Sequence, residues 1–254
     1  SFPGVRATVA SGWQLVSNAP KSTLLPMAAV QVPVALVSAV IFVVLYLTAF
    51  RDEPVYSLEE AVNEGARGQL FAILVLTAVE ALFAQVARGA TIVGAAAAAK
   101  GQPISLNAAL DPAFSRMGPL LLMAVVIAGG AVALVFSLVG LVMLPFLALR
   151  LAVSFEVLML EGTGVWASFR RCWQLTRGHM LVLLGVILVV LVVVFIPLLA
   201  ISLLTLSAGG SPTVEVLLLA LVTVAQAVLT VPLLAFITAV TTTFYLNAKK
   251  AADG

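Results

Sequence analysis

The sequence predicts an all-α integral membrane protein, a polytopic helix bundle with about six transmembrane helices. Its 254 residues are 63% hydrophobic and only 9% charged, and the mean hydropathy is +1.20. A soluble domain has about 45–50% apolar and about 25% charged residues. Too few polar side chains are present to cover a water-facing globule, so the excess apolar surface must face lipid.

Six apolar stretches are long enough to cross the hydrocarbon core, which takes about 20 helical residues. They cover residues 27–50, 70–98, 180–204 and 214–244, with two further spans inside the block 118–160. That block is too long for one helix, and we divide it near residues 137–140. The second stretch is longer than a bilayer needs, so its helix should project beyond the membrane.

Three polar segments, which precede the first, third and fifth spans, resemble one another. Trp-Gln-Leu begins at Trp13 and again at Trp173, and Phe114 replaces the tryptophan in the middle segment. The pattern predicts three hairpin units, 1–100, 101–162 and 163–254, within one membrane domain, each preceded by a short cytoplasmic interfacial helix. The alternative is that any membrane hairpin begins with interfacial aromatic residues.

Basic residues are distributed unequally between the two sides of the predicted spans. One side has only Arg51 and Arg67 and is otherwise acidic. The other side has Arg6, Lys21, Lys100, Arg116, Arg170, Arg171, Arg177, Lys249 and Lys250. The positive-inside rule then places both termini in the cytoplasm, in a multi-pass protein of the inner (plasma) membrane.

The sequence also predicts features at the first span and in the loop that follows it. No basic segment precedes a short apolar core, so we expect no cleavable signal peptide and a first span that acts as a retained signal-anchor. In the acidic outer loop, Ser57 and Glu60 have the spacing of a capping box, which predicts a short surface helix.

Aromatic and basic side chains in the segments before the odd-numbered spans suit the membrane interface. Tryptophan and phenylalanine sit at headgroup depth, while arginine faces lipid phosphates. The candidate interface residues are Trp13, Trp166, Phe169, Arg170, Arg171, Trp173 and Arg177. Simple anchoring and specific lipid-headgroup binding are both consistent with this pattern.

Polar residues inside the apolar stretches are candidates for a functional site, because charges in a membrane are costly. Glu80, Arg150 and Gln226 lie at comparable depth on the second helix of each predicted hairpin. We expect Glu80 and Arg150 to face the bundle interior within ion-pairing reach. The pair would form either a polar site or a structural ion pair. Arg88, Gln85 and Glu156 should lie nearer the cytoplasmic interface and snorkel toward it.

The stretch from Arg150 to Met180 resembles a known family. Arg150 lies in a span, Glu161-Gly162 follows at its end, and Ala167-Ser168-Phe169-Arg170-Arg171-Cys172-Trp173-Gln174-Leu175-Thr176-Arg177-Gly178 comes next. This is similar to the membrane domain of the glycerophosphoryl diester phosphodiesterase membrane-domain family and related six-span bacterial proteins. Cys172 stands where that family often has serine. The resemblance implies a fold. We do not expect hydrolysis, because within these 254 residues no segment outside the spans is long enough to fold as a hydrolase domain.

The remaining sequence signals argue against several function classes. The lone Cys172 and lone His179 exclude a disulfide, a cysteine or multi-histidine metal site and a His-based catalytic set, so we expect no cofactor, metal or catalytic residue. No basic stripe indicates nucleic acid. The leading prediction is a non-enzymatic accessory or scaffold subunit of a larger membrane complex, with membrane lipids and other membrane-protein subunits as partners. The alternative is a transporter or lipid-handling protein with a polar midplane site.

Overall fold

The structure is a computed structural model that describes residues 2–49, 67–136, 138–206 and 212–253. These residues form ten α-helices and no strand, as the sequence predicts. The helices are α1 (Val5–Asn18), α2 (Pro20–Ala49), α3 (Arg67–Ala99), α4 (Leu106–Ser115), α5 (Met117–Val135), α6 (Leu138–Leu151), α7 (Ser154–Glu161), α8 (Val165–Thr176), α9 (Met180–Leu206) and α10 (Pro212–Asp253). The capping box predicted at Ser57 and Glu60 lies outside the described residues.

Five stretches of the described residues are long and apolar enough to cross a membrane. They are Pro20–Leu45, Leu74–Ala99, Met117–Val135, Met143–Glu161 and Ala220–Asp253. A sixth is added if Val165–Thr176 and Met180–Val193, which meet at 104°, form one bent span. The described residues therefore contain five or six candidate spans, as expected of a membrane protein and close to the number predicted. Helix α3 alone is about 50 Å long, well beyond the roughly 30 Å hydrocarbon core.

Helices α2, α3 and α10 form the centre of the bundle, and each packs extensively against the other two. Met27, Ala87 and Val231, one from each helix, are buried in a single apolar cluster. At Gly94 of α3 the backbones come closest, because a Cβ there would overlap the carbonyl oxygen of Ser22 on α2. Small residues allow this close approach of helices within a membrane.

The short helices α1, α4 and α8 share one register. Their N-cap residues are Gly4, Ser105 and Gly164. The residues four and eight positions later are buried in all three: Thr8 and Gly12, Ala109 and Ala113, and Ser168 and Cys172. The next residue is an exposed aromatic one in each helix, namely Trp13, Phe114 and Trp173. Three helices with the same buried and exposed positions are what a repeated unit would produce.

Each short helix packs its buried face on a helix from another predicted unit. In α1, a Cβ on Gly12 would lie 2.8 Å from the Cα of Val240 in α10. In α4, the Cβ of Ala113 faces Gly89 of α3. In α8, the Cys172 thiol donates a hydrogen bond of 2.8 Å to the carbonyl of Arg150 in α6. The repeat, the hairpin units and the interfacial position of the short helices stay predictions.

The block predicted to hold the third and fourth spans divides twice. Helix α5 ends at Val135 and α6 begins at Leu138, which agrees with the predicted division. The fourth span is not one continuous helix, because α6 ends at Leu151 and α7 begins at Ser154. Beyond this break α7 is buried from Ser154 to Met159, in contact with α3, α5, α8 and α10.

Candidate functional site

A cleft of about 400 Å³ between α2, α3 and α10 collects polar side chains from all three helices. Glu80 and Thr77 come from α3, Gln31 from α2, and Gln226 and Thr230 from α10. The structure therefore brings Glu80 and Gln226 together. Gln31 is a lining residue that the sequence analysis does not single out. Its signal is a glutamine inside the otherwise apolar first span.

Three of these polar side chains are unsatisfied within the protein. In the part of the chain that the structure describes, the side chains of Glu80, Gln31 and Gln226 make no hydrogen bond and no ion pair. Glu80 and Gln31 are partly buried, and Gln226 is exposed to the cleft opening. A charged side chain at the centre of a membrane helix costs about 2.5–3.5 kcal/mol on insertion scales.

Glu80 lies within Leu74–Ala99, the part of α3 that is long and apolar enough to cross a membrane. At about 1.5 Å per residue, Glu80 lies about 20 Å from the Arg67 end and about 28 Å from the Ala99 end of the helix. The apolar cluster of Met27, Ala87 and Val231 lies beside the cleft and joins the same three helices. Rigid helices, rather than loops, therefore fix the polar groups relative to one another.

An apolar groove of about 560 Å³ adjoins the cleft between α2 and α3. Val34 and Phe83 line both the cleft and the groove, so the two cavities are adjacent at these residues. From these residues the groove follows α2 to Leu45 and α3 back to Phe71. Its described lining residues carry no charge, and Phe71 is 70% exposed, so the groove is open along its side.

Arg150 lies elsewhere, at the end of α6 beside α8. Its Nη1 donates to the carbonyl of Trp173 at 3.2 Å, and its guanidinium carbon lies 4.7 Å from the Trp173 ring centroid and 5.3 Å from that of Phe146. No ion pair joins Arg150 to Glu80 among the described residues. The expected pair does not form because α6 packs against α5, α8 and α9, away from the cleft.

A second polar cluster surrounds Glu156, which is completely buried in α7. Thr241 of α10 donates a hydrogen bond to Glu156 Oε1, whereas Oε2 has no partner among the described residues. Arg88 interacts electrostatically with this carboxylate and lies 4.1 Å above the Phe155 ring. Glu156 does not snorkel, because the break between α6 and α7 directs α7 into the bundle. The run Thr241-Thr242-Thr243 in an apolar helix is the sequence signal for its partner.

The predicted interface aromatic residues lie on the outer faces of the short helices. Trp13 is 62% and Trp166 72% exposed, and Trp173 is also exposed. Each has an edge-on aromatic neighbour: Phe236 for Trp13, Phe169 for Trp166 and Phe146 for Trp173. Phe169 packs partly against the core. The exposed tryptophans are free to contact lipid headgroups.

The three arginines of this region differ in their partners. Arg171 binds Asp253 at 2.8 Å, and its Nε lies 3.5 Å from Glu161, the carboxylate that Lys249 also approaches at 3.4 Å. Arg170 and Arg177 are exposed. The Arg171 contacts tie α7, α8 and the end of α10 together, whereas binding of lipid phosphates by Arg170 and Arg177 stays a prediction.

The described residues contain no group of three or more His, Cys, Asp or Glu side chains that could hold a metal ion. His179 stacks on Phe2, with ring centroids 3.9 Å apart. Cys172 is buried, and its thiol donates a hydrogen bond to α6. The cleft around Glu80 is thus the strongest candidate site.

In comparisons with protein-family models, with curated proteins and with solved structures, nothing matches this chain. The resemblance of the Arg150–Met180 stretch to the glycerophosphoryl diester phosphodiesterase membrane-domain family stays a prediction.

Proposed function

We propose that this chain is a non-enzymatic membrane protein that binds a ligand inside the bilayer, as a transporter or lipid-handling protein. The ligand site is the cleft lined by Glu80, Gln31 and Gln226. In this proposal both termini are cytoplasmic, the membrane is a bacterial inner membrane, and the short helices lie at its cytoplasmic interface. The chain needs no cofactor for this role.

The observation that carries the proposal is the convergence of three unsatisfied polar side chains from three helices. A structural role would pair these groups with one another, as Thr241 pairs with Glu156. The cleft instead leaves a carboxylate and two amides accessible in a space of about 400 Å³. Ligand sites have volumes of about 300–1,000 Å³ and a few convergent polar groups. Contacts with a ligand would offset the cost of keeping these groups in the membrane.

The role of accessory or scaffold subunit remains the other candidate. It rests on apolar helix faces, such as the exposed valines and leucines of α5 and α9, that partner helices could cover. Lipid covers such faces equally well, so this feature does not distinguish a subunit from a solitary membrane protein. The polar cleft, in contrast, is a feature that lipid tails cannot satisfy.

Native mass spectrometry of the full chain, extracted from its own membrane in mild detergent, tests the proposal. We expect the wild-type protein to carry a bound molecule that is enriched over the bulk lipid. Gln226→Leu should lose it because the variant removes a polar side chain from the cleft. Glu80→Gln should lose it because the variant removes the negative charge. Gln174→Leu is the matched control, since Gln174 is an exposed glutamine of α8 outside the cleft.

The result would contradict ligand binding if no molecule is enriched, or if both cleft variants retain it at the wild-type level. Membrane proteins that co-purify in fixed stoichiometry, with no enriched small molecule, would instead support the subunit role. Melting temperatures of all four proteins show whether a loss of binding comes from unfolding.

A further inference from the structure

We infer that the cleft and the adjoining groove bind a long-chain amphiphile with a primary ammonium headgroup. The ammonium lies at Glu80 and the hydrocarbon chain lies in the groove. This inference names the ligand class of the proposed site and rests on the proposed function.

The charge of the headgroup follows from the residues that line the two cavities. Among the described residues that line the cleft and the groove, Glu80 is the only one with an ionisable side chain. An ionised carboxylate in an apolar environment requires an opposite charge close by. No Lys, Arg or His is present among the described residues that line either cavity. We therefore assign the opposite charge to the ligand, because an anionic headgroup would be repelled by the Glu80 carboxylate.

The geometry of the polar groups favours a primary ammonium over a quaternary one. An ammonium has three N–H donors and no acceptor. Glu80, Gln31 and Gln226 line the cleft, one from each helix, and each can present an oxygen acceptor to a ligand: a carboxylate oxygen for Glu80 and an amide oxygen for each glutamine. Charge-assisted hydrogen bonds of this kind are shorter and stronger than neutral ones. A quaternary ammonium would leave all three acceptors without donors.

The chain of the ligand follows from the adjacency of the cleft and the groove. Val34 and Phe83 lie at the junction, so a chain attached to a headgroup at Glu80 enters the groove directly. The groove runs toward the Leu45 and Phe71 ends of its helices, and its open side admits a chain from the bilayer. Under the predicted topology, this is the orientation of a lipid from the cytoplasmic leaflet.

The two cavities contribute differently to binding. Because lipid tails are as apolar as the groove, a chain gains little free energy by leaving the bilayer for it. Affinity therefore comes mainly from the contact between the ammonium and Glu80, and the groove sets the position of the chain.

Binding to the purified full chain is measured by native mass spectrometry with four added probes. Phosphatidylethanolamine and hexadecylamine carry a primary ammonium, whereas phosphatidylglycerol and hexadecanol are matched compounds without one. We expect the ammonium compounds to bind at least about tenfold more tightly than their matched partners, and this preference to disappear in Glu80→Gln. Glu80→Asp keeps the charge and should retain part of the preference.

A preference for phosphatidylethanolamine over hexadecylamine would identify a phospholipid as the source, and the reverse would identify a single-chain amine. Equal binding of hexadecylamine and hexadecanol at the cleft would overturn the ammonium inference and leave ligand binding in the cleft intact. Failure of every probe, with an unrelated enriched molecule in the native extract, would also overturn the inference but not the proposed function.

The position of the chain has its own test. Hexadecylamine with a photoactivatable diazirine in the middle of its chain should crosslink to residues 37–45 of α2 or 71–79 of α3. Val75→Trp fills the groove and should reduce these crosslinks severalfold. Val125→Trp, at an exposed valine on α5 outside the groove, is the control. Crosslinks confined to other helices would show that the chain lies elsewhere.

Discussion

Among single residues, Glu156 has the most demanding environment. Its carboxylate is fully buried, and within the described residues Thr241 supplies its hydrogen bond. A buried acceptor that loses its donor bears the full cost of desolvation, whereas replacement of both partners by apolar groups can be nearly neutral. The stability of this cluster therefore depends on Glu156 together with its partners Thr241 and Arg88.

Thr241→Val is expected to lower the free energy of unfolding by about 1–3 kcal/mol, because it leaves Glu156 Oε1 without a donor. Thr243→Val is the control, since the Thr243 hydroxyl only bonds to the Ala239 carbonyl of its own helix. Unfolding in mixed micelles with increasing SDS measures both. Equal losses from the two threonine variants would argue against a special role of this hydroxyl.

Cys172 provides a second prediction for a single residue. Its thiol is fully buried and donates to the Arg150 carbonyl. The native protein should therefore react with N-ethylmaleimide at least about a hundredfold more slowly than the SDS-denatured protein, because reagent and thiolate meet only after local opening. Mass spectrometry follows the reaction. Rapid labelling in the native state would mean that α8 separates readily from α6.

At the scale of helices, Gly94 determines how closely α2 and α3 pack. Gly94→Ala forces the new methyl group against the Ser22 carbonyl, which belongs to the backbone and cannot rotate away. We expect a loss of about 1–3 kcal/mol, the range found for overpacked cores. Gly129→Ala on α5, where nothing lies within 4 Å of a new Cβ, should leave stability unchanged or slightly higher.

Melting temperatures of the two glycine variants, compared with the wild type, show whether a methyl group at Gly94 destabilises the protein and one at Gly129 does not. A Gly94→Ala protein as stable as Gly129→Ala would show that α2 and α3 shift apart without cost. Such a shift would also alter the cleft, because Gln31 and Glu80 lie on these two helices.

The sequence predicts the helices better than it predicts the side chains that meet between them. Long apolar runs specify α2, α3, α5 and α10 through the length that a bilayer requires. The break between α6 and α7 has no proline or glycine to mark it, so periodicity alone does not reveal it. Equal depth suggested Glu80, Arg150 and Gln226 as neighbours. The depth of a residue along its helix gives its height in the bundle but not the direction in which its side chain points. Arg150 has a similar depth but faces α8.

The whole molecule has a predicted orientation that the lone buried cysteine makes easy to test. Asp253→Cys places a reactive thiol at the end of α10. Asn63→Cys places one in the predicted outer loop. In intact spheroplasts, a membrane-impermeant maleimide should label Asn63→Cys alone, and both variants should react after permeabilisation. Labelling of Asp253→Cys in intact cells would reverse the predicted topology. Since Cys172 is buried, the wild-type protein serves as the unlabelled control.

The central position of α10 also means that the bundle can pack fully only after this helix has been synthesised. Helix α10 packs against α1 and α2, which are synthesised before it, and supplies Thr241 to Glu156 and Gln226 to the cleft. Until this helix has been synthesised and inserted, Glu156 lacks Thr241 and Glu80 lacks Gln226. The nascent chain is then most exposed to quality-control proteases, and a stop codon even within α10 should cause rapid turnover instead of partial function.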